Sequence, residues 1–249
     1  MPTPFYHLVV AGEVLDHPDL DAGLRDRLRA ERAAFLFGNT APDVQTVSGQ
    51  SRVATHFFDL PLDPRHPALA TLFAAHPELA RPGALGEARA AFMAGYLAHL
   101  RLDELWIERI FAPYFGLDVH WGRGFRERLL LHNVMRAYLD HQDVPRLRGW
   151  AGREIAAARP QHWLPFADDR HLIAWRDLLA GQLAPDAPLR TIEIFAERMR
   201  VPPATIEALL APEELAARVW QRLPEDRLLE FREQGVAMTI DLLHQYYGR

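Results

Sequence analysis

The chain has 249 residues, of which 49 % are hydrophobic and 24 % charged, a composition typical of a soluble globular protein with one large core or two small ones. Its 28 basic and 33 acidic residues give a net charge of −5, which excludes the basic excess that holds a nucleic-acid backbone or an anionic membrane. Cysteine is absent, so disulfides and thiolate metal sites are excluded, and any metal must be bound by His, Asp or Glu.

The N-terminal stretch MPTPFYHLVVAGEVLDHPDL lacks a basic segment, and Glu13 and Asp16 interrupt its apolar run. This pattern is typical of neither a signal peptide nor a membrane span. We therefore expect no transmembrane segment and a cytoplasmic protein.

Apolar residues recur at helical spacing along most of the chain, and the alternating β-branched runs that indicate strands are nearly absent. The pattern predicts an all-α fold with helices over residues 4–15, 20–37, 67–76, 84–116, 122–140, 145–157, 168–181, 189–199, 203–210, 212–222 and 225–247. A long irregular loop is predicted over 39–62. We expect residues 1–160 to form a helical domain and 161–249 a C-terminal helical lobe packed on it.

The segment FMAGYLAHLRLDELW, residues 92–106, places His99 and Asp103 four residues apart on an otherwise apolar helix face. The opposite face carries charges that are spaced for surface ion pairs, namely Arg101, Glu104 and Glu108. A buried carboxylate must be neutralised, paired or bound to a metal, because leaving it unpaired is costly. The HxxxD pair is therefore either two metal ligands on one rigid element or an internal hydrogen bond that closes a core gap.

Three further polar residues lie next to apolar segments. Asp43 follows Pro42 in GNTAPDV, where it is either a fixed aspartate near a buried helix or part of an Asx-type turn. His56 lies between apolar neighbours in RVATHFF, and His7 lies on the apolar side of the first predicted helix. Taken singly, a histidine in such surroundings is more often a core residue that is satisfied by a hydrogen bond.

Taken together, HLVVAGEVL, GNTAPDV, the TH of THFF and FMAGYLAHLRLDELW resemble the zinc-dependent phospholipase C family, the all-helical group related to P1-type nucleases. The resemblance covers residues 1 to about 140. It implies a multi-helix bundle of the phospholipase C/P1 nuclease type, here with additional C-terminal helices. It also implies zinc as the cofactor. The ligands that it implies for one zinc ion are Asp43, His56, His99 and Asp103. A second ion near His7 would share Asp103 as a bridge.

The chain departs from the pattern of this family at two positions. Arg109 stands six residues beyond Asp103, where the family has a histidine, and Arg136 stands where a later HxxxE or HxxxD has its acid. A guanidinium cannot ligate zinc. His132 remains a candidate ligand, and Arg136 is predicted to bind a substrate phosphate through forked hydrogen bonds. Arg109 is expected at the surface, because six residues correspond to about 600° of helix rotation.

These residues predict a metal-dependent hydrolase of phosphoester bonds, in which Asp43 is the catalytic residue that orients or deprotonates a water. The expected substrate is a phospholipid head group or a small phosphodiester, with no nucleic-acid partner. The ligand types also admit manganese or iron. Two alternatives stay open: a non-catalytic helical protein that retains one structural or vestigial metal site, and a helical interaction module without metal.

Overall fold

The computed structural model describes residues 1–122 and 124–248; it is 72 % helical and contains no strand among these residues, which confirms the predicted all-α fold. The α-helices are α1 (Pro4–Asp16), α2 (Ala22–Ala30), α3 (Arg32–Gly38), α4 (Gln45–Ser48), α5 (Arg52–His56), α6 (Ala68–Ala75), α7 (Glu87–Trp106), α8 (Ala112–Phe115), α9 (Phe125–Leu147), α10 (Ala151–Ala157), α11 (Asp169–Gln182), α12 (Thr191–Met199), α13 (Pro203–Leu209), α14 (Pro212–Leu215) and α15 (Glu225–Tyr247). Shorter 3₁₀ turns lie at Ala41–Val44, Pro77–Ala80 and Pro82–Ala84, and π-helical turns at Ile107–Phe111 and Ala216–Trp220.

The predicted loop over 39–62 was wrong in detail, because the structure forms three short helical pieces there: the turn Ala41–Val44, α4 and α5. Local capping explains them. Gly49 ends α4 with a left-handed backbone (φ 74°), and the Ser51 hydroxyl oxygen accepts a hydrogen bond from the Ala54 N–H to begin α5.

Other boundaries also differ from the predicted ones. The predicted helix 20–37 divides into α2 and α3 at Glu31, and the predicted break near residue 140 is absent because α9 continues through Pro145. The predicted helix 84–116 contains a π-helical turn just before Pro113, whose ring and missing N–H disturb a regular helix. Arg123, inside the predicted segment 122–140, lies outside the described residues.

Helices α3 and α7 pack with their backbones in close approach. A Cβ atom at Gly95 would lie 2.2 Å from the Phe35 carbonyl oxygen, and one at Gly38 would lie 2.0 Å from the Phe92 carbonyl oxygen. Only glycine fits at these two positions. The close approach brings Asn39, the residue that follows α3, beside the middle of α7.

Residues of the C-terminal part belong to the same hydrophobic core as the N-terminal helices. Helix α15 packs against α1 and α7, and Trp175 on α11 donates its indole N–H to the Thr40 carbonyl oxygen at 2.8 Å. Trp175 therefore holds the backbone that leads into the Ala41–Val44 turn. Within the two described ranges, no helix combines the length and apolar character needed to cross a bilayer.

Candidate metal centre

Five of the predicted site residues come together in one buried cluster built from four elements. His7 lies on α1, Asp43 in the Ala41–Val44 turn, His56 at the end of α5, and His99 and Asp103 on α7. Their ligand atoms fall into two overlapping groups, His7–His99–Asp103 and Asp43–His56–His99, and within each group all of them lie within 4.8 Å of one another. These histidines and Asp103 are buried, whereas the Asp43 side chain is 22 % exposed.

The orientation of His99 follows from the α3–α7 contact. Its Nδ1 lies 2.8 Å from the backbone carbonyl oxygen of Asn39. Since a carbonyl oxygen can only accept, Nδ1 carries the proton, and in the neutral ring Nε2 is an acceptor. The Nε2 atom of His99 is buried, has no hydrogen-bond partner, and lies 3.7 Å from Asp103 Oδ2. The interpretation of His99–Asp103 as an internal hydrogen bond was therefore wrong.

The orientation of His56 is set by Thr55 in the same way. The Thr55 hydroxyl donates to the Arg52 carbonyl oxygen at 3.2 Å, so its oxygen is free to accept from His56 Nδ1 at 3.0 Å. The Nε2 atom of His56 is then an unpaired buried acceptor. Tyr96 on α7 donates its hydroxyl to the Thr55 carbonyl oxygen, which ties α5 to α7. The left-handed backbone of Phe57 (φ 58°) ends α5 directly after His56.

The cluster thus presents acceptor atoms to one another. His56 Nε2 lies 3.6 Å from Asp43 Oδ1 and 3.6 Å from Asp103 Oδ2. Two donors on a tetrahedral zinc ion lie about 3.3–3.4 Å apart when each bond is about 2.0–2.1 Å long. Nitrogen and carboxylate acceptors repel one another unless a cation lies between them. The residues present therefore fit a divalent ion in both spacing and chemistry.

His7 belongs to the His7–His99–Asp103 group. Its ring stacks on His99 with the centroids 3.8 Å apart, and its Nε2 lies 3.3 Å from Asp103 Oδ1 without forming a hydrogen bond. Burial, aided by the nearby His99, lowers the pKa of His7 to about 3, although Asp103 opposes the shift. A neutral, unpaired imidazole is the form that ligates metal.

The two carboxylates have opposite pKa shifts. Burial tends to raise the pKa of Asp103, but its polar neighbours, among them the Arg52 guanidinium, outweigh it and hold that pKa well below its ordinary value. Burial raises the pKa of Asp43, and the neighbouring Asp103 adds to the effect. Asp103 is accordingly an ionised ligand, whereas Asp43 is the more basic carboxylate and lies toward solvent.

Arg52 also contacts the cluster and was missed at the level of sequence. Its Nη2 donates to Asp103 Oδ2 at 2.6 Å, and its side chain is 25 % exposed. The signal was present in SRVATH, because Arg52 and His56 are four residues apart and so share one face of a helical turn.

In the folded protein, His132 has a hydrogen-bond partner outside the cluster. Its Nε2 accepts the Trp106 indole N–H at 3.0 Å, and the rings of Phe111 and Phe115 lie around it. It belongs to neither group of potential ligands found among the described residues. Its predicted place in the metal centre was therefore wrong: it is a core histidine.

Among the described residues, neither Arg136 nor Arg109 makes a hydrogen bond to the ligand atoms. Arg136 donates through Nη1 to the Met1 carbonyl oxygen at 2.9 Å and through Nη2 to Asn133 Oδ1, so each terminal nitrogen already has one partner within the protein. Arg109 is exposed, as expected. On α7, Glu104 is buried rather than on the solvent face, because its Oε1 accepts the Ala68 N–H at 2.7 Å.

Comparison of the chain with models of protein families, with curated proteins and with solved structures gave no match. Functional assignment accordingly depends on the chemistry of the cluster.

Proposed function

We propose that this protein is a divalent-metal hydrolase, with zinc as the expected ion and a phosphoester as the substrate. One observation carries the proposal: unpaired buried ring nitrogens of three histidines and an unpaired buried oxygen of Asp103 lie, together with Asp43 Oδ1, in a single cluster. Three imidazoles and the Asp103 carboxylate form a ligand set suited to zinc, and a second carboxylate, Asp43, lies beside it. The resemblance of HLVVAGEVL, GNTAPDV and FMAGYLAHLRLDELW to zinc-dependent phospholipases C supports a phosphoester as the substrate.

We expect four of these residues to bind the metal and the fifth to act on the attacking water. His7, His56, His99 and Asp103 would hold the metal. When bound, a divalent ion supplies Lewis acidity, which lowers the pKa of a water and polarises a phosphoryl oxygen. Asp43 lies at the solvent side, and its raised pKa suits it to take the proton of the attacking water on a carboxylate oxygen.

The partial exposure of the Asp43 and Arg52 side chains favours a catalytic metal centre over a closed structural one. A structural zinc site is surrounded by four protein ligands, whereas a catalytic site keeps one position open. The Asp43 and Arg52 side chains are 22 % and 25 % exposed, so this side of the cluster is open to solvent. If the protein is instead a non-catalytic protein with a vestigial metal site, it should bind metal but hydrolyse no phosphoester.

The test combines metal analysis with a substrate panel. Purified protein loaded with zinc is assayed on bis(p-nitrophenyl) phosphate and p-nitrophenyl phosphorylcholine, with p-nitrophenyl acetate as a carboxylic ester control. His99→Ala and Asp103→Asn should lower both bound zinc and kcat/KM for the phosphoesters, the latter by roughly 100-fold or more. His66→Ala, at an exposed histidine, is the matched control.

Each outcome separates the candidates. Full phosphoesterase activity in both variants, or selective hydrolysis of the acetate, would contradict the proposal. One bound zinc whose removal by a chelator lowers the Tm, with no turnover of either phosphoester, would favour the structural alternative.

A further inference from the structure

Arg52 reaches from the protein surface into the buried cluster. It opens α5, its guanidinium carbon lies 4.6 Å from the centroid of the Phe58 ring, and its Nη2 contacts Asp103 Oδ2 at 2.6 Å. Within the described part of the chain, this is the one hydrogen bond that its guanidinium makes. Its remaining guanidinium donors have no partner among the described residues, and the side chain is 25 % exposed.

The Asp103 oxygen that accepts from Arg52, Oδ2, also faces the Nε2 atoms of His56 and His99. Asp103 Oδ2 lies 3.6 Å from His56 Nε2 and 3.7 Å from His99 Nε2, so a metal held by these nitrogens lies beside the position of the guanidinium. Two cations on one oxygen repel each other strongly at such distances. In the absence of metal, Arg52 compensates the buried charge of Asp103.

We propose that Arg52 is the anion-binding residue of this centre: a divalent ion displaces its guanidinium from Asp103, and the guanidinium then binds a phosphate oxygen beside Asp43. This inference rests on the proposed function and adds to it the residue that receives the charge of the substrate. One divalent ion neutralises the two carboxylates, Asp43 and Asp103. The positive charge of Arg52 is then in surplus, and an incoming anion balances it.

The surroundings of Arg52 suit such a movement. The Phe58 ring supports the guanidinium by a cation–π contact outside the ligand set. Arginine binds phosphate through parallel hydrogen bonds from its planar fork, and the donors not used by Asp103 are available for this. Arg136, by contrast, uses both terminal nitrogens within the protein.

The test measures zinc and phosphate binding without reference to turnover. Arg52→Gln removes the competing cation, so we expect its zinc affinity, measured by competition with a chromogenic chelator, to rise at least 10-fold. The affinity of the zinc-loaded variant for inorganic phosphate, measured by calorimetry, should fall at least 10-fold. Arg109→Gln, at the exposed arginine, is the matched control and should change neither affinity.

Arg52→Lys covers the case in which Arg52→Gln fails to fold. It keeps the positive charge but lacks the planar fork, so zinc affinity should stay within about threefold of wild type while phosphate affinity falls.

Unchanged zinc and phosphate affinities in the variants would overturn the inference even if phosphoester hydrolysis is found. Both expected changes without hydrolysis of any phosphoester would support the inference and overturn the proposed function. Failure of wild type and variants alike to bind zinc would overturn both.

Discussion

The Nδ1 atom of His99 lies 2.8 Å from the carbonyl oxygen of Asn39, so a backbone atom at the end of α3 determines which ring nitrogen of a residue on α7 faces the cluster. Groups that hydrogen-bond the second nitrogen of a ligating histidine fix its tautomer and ring orientation. The ligand geometry therefore depends on how closely α3 and α7 approach each other.

Gly95→Ala should disrupt this approach. The added Cβ would lie 2.2 Å from the Phe35 carbonyl oxygen and 2.8 Å from the Asn39 backbone nitrogen, so the helices must separate. We expect a loss of about 1–3 kcal/mol in the free energy of unfolding, measured by urea denaturation, and weaker zinc binding. Gly83→Ala is the matched control because no atom lies within 4 Å of its added Cβ. Equal stability of the two variants would contradict the packing argument.

Thr55→Val should weaken metal binding without touching a ligand. The variant keeps the shape of the side chain but removes the oxygen that accepts from His56 Nδ1 at 3.0 Å. Loss of such a supporting hydrogen bond typically lowers metal affinity by about 10–100-fold. Chelator competition with zinc measures the change, and Thr71→Val on α6, whose hydroxyl donates to the Pro67 carbonyl oxygen, is the control. Equal zinc affinities in the two variants would show that His56 does not depend on Thr55.

His132→Ala should reduce stability and leave the zinc stoichiometry unchanged. The substitution leaves the buried Trp106 N–H without its acceptor, which costs about 1–3 kcal/mol in addition to the cavity. Denaturation and elemental analysis of the same preparation separate the two effects. His132→Gln, which can supply an acceptor, should recover part of the stability. A stable variant with one zinc fewer would restore His132 as a ligand.

Asp140 should make stability depend on pH. Burial raises its pKa to about 7, although hydrogen bonds from Thr191 and Thr3 oppose the shift. The folded protein thus retains a proton that the unfolded chain releases near pH 4, so the free energy of unfolding falls as pH rises from about 4 to 7.

Asp140→Asn removes this titration, so its stability relative to wild type should increase from pH 5 to pH 8. Urea denaturation in the presence of a chelator at both pH values measures the difference, and Asp241→Asn, at an exposed aspartate, is the matched control. A difference between wild type and Asp140→Asn that stays constant with pH would contradict the assignment.

The helical elements could largely be predicted from the sequence because helix formation depends on neighbours three and four residues apart. The same local rule places His99 and Asp103 on one buried face of α7. The errors arose where the deciding partner is distant in sequence. Glu104 matches a surface position by spacing, yet it caps α6 through the Ala68 N–H.

The sequence by itself determined the helix class, the face shared by His99 and Asp103, and the residue types able to hold a metal. Only the tertiary structure decided which of those residues meet. Arg52 rather than Arg136 contacts Asp103, and His132 pairs with Trp106, because these contacts join segments that are 26 to 51 residues apart. Such contacts depend on the packing of whole helices, above all on the close approach of α3 and α7 at Gly38 and Gly95, and no local pattern encodes that geometry.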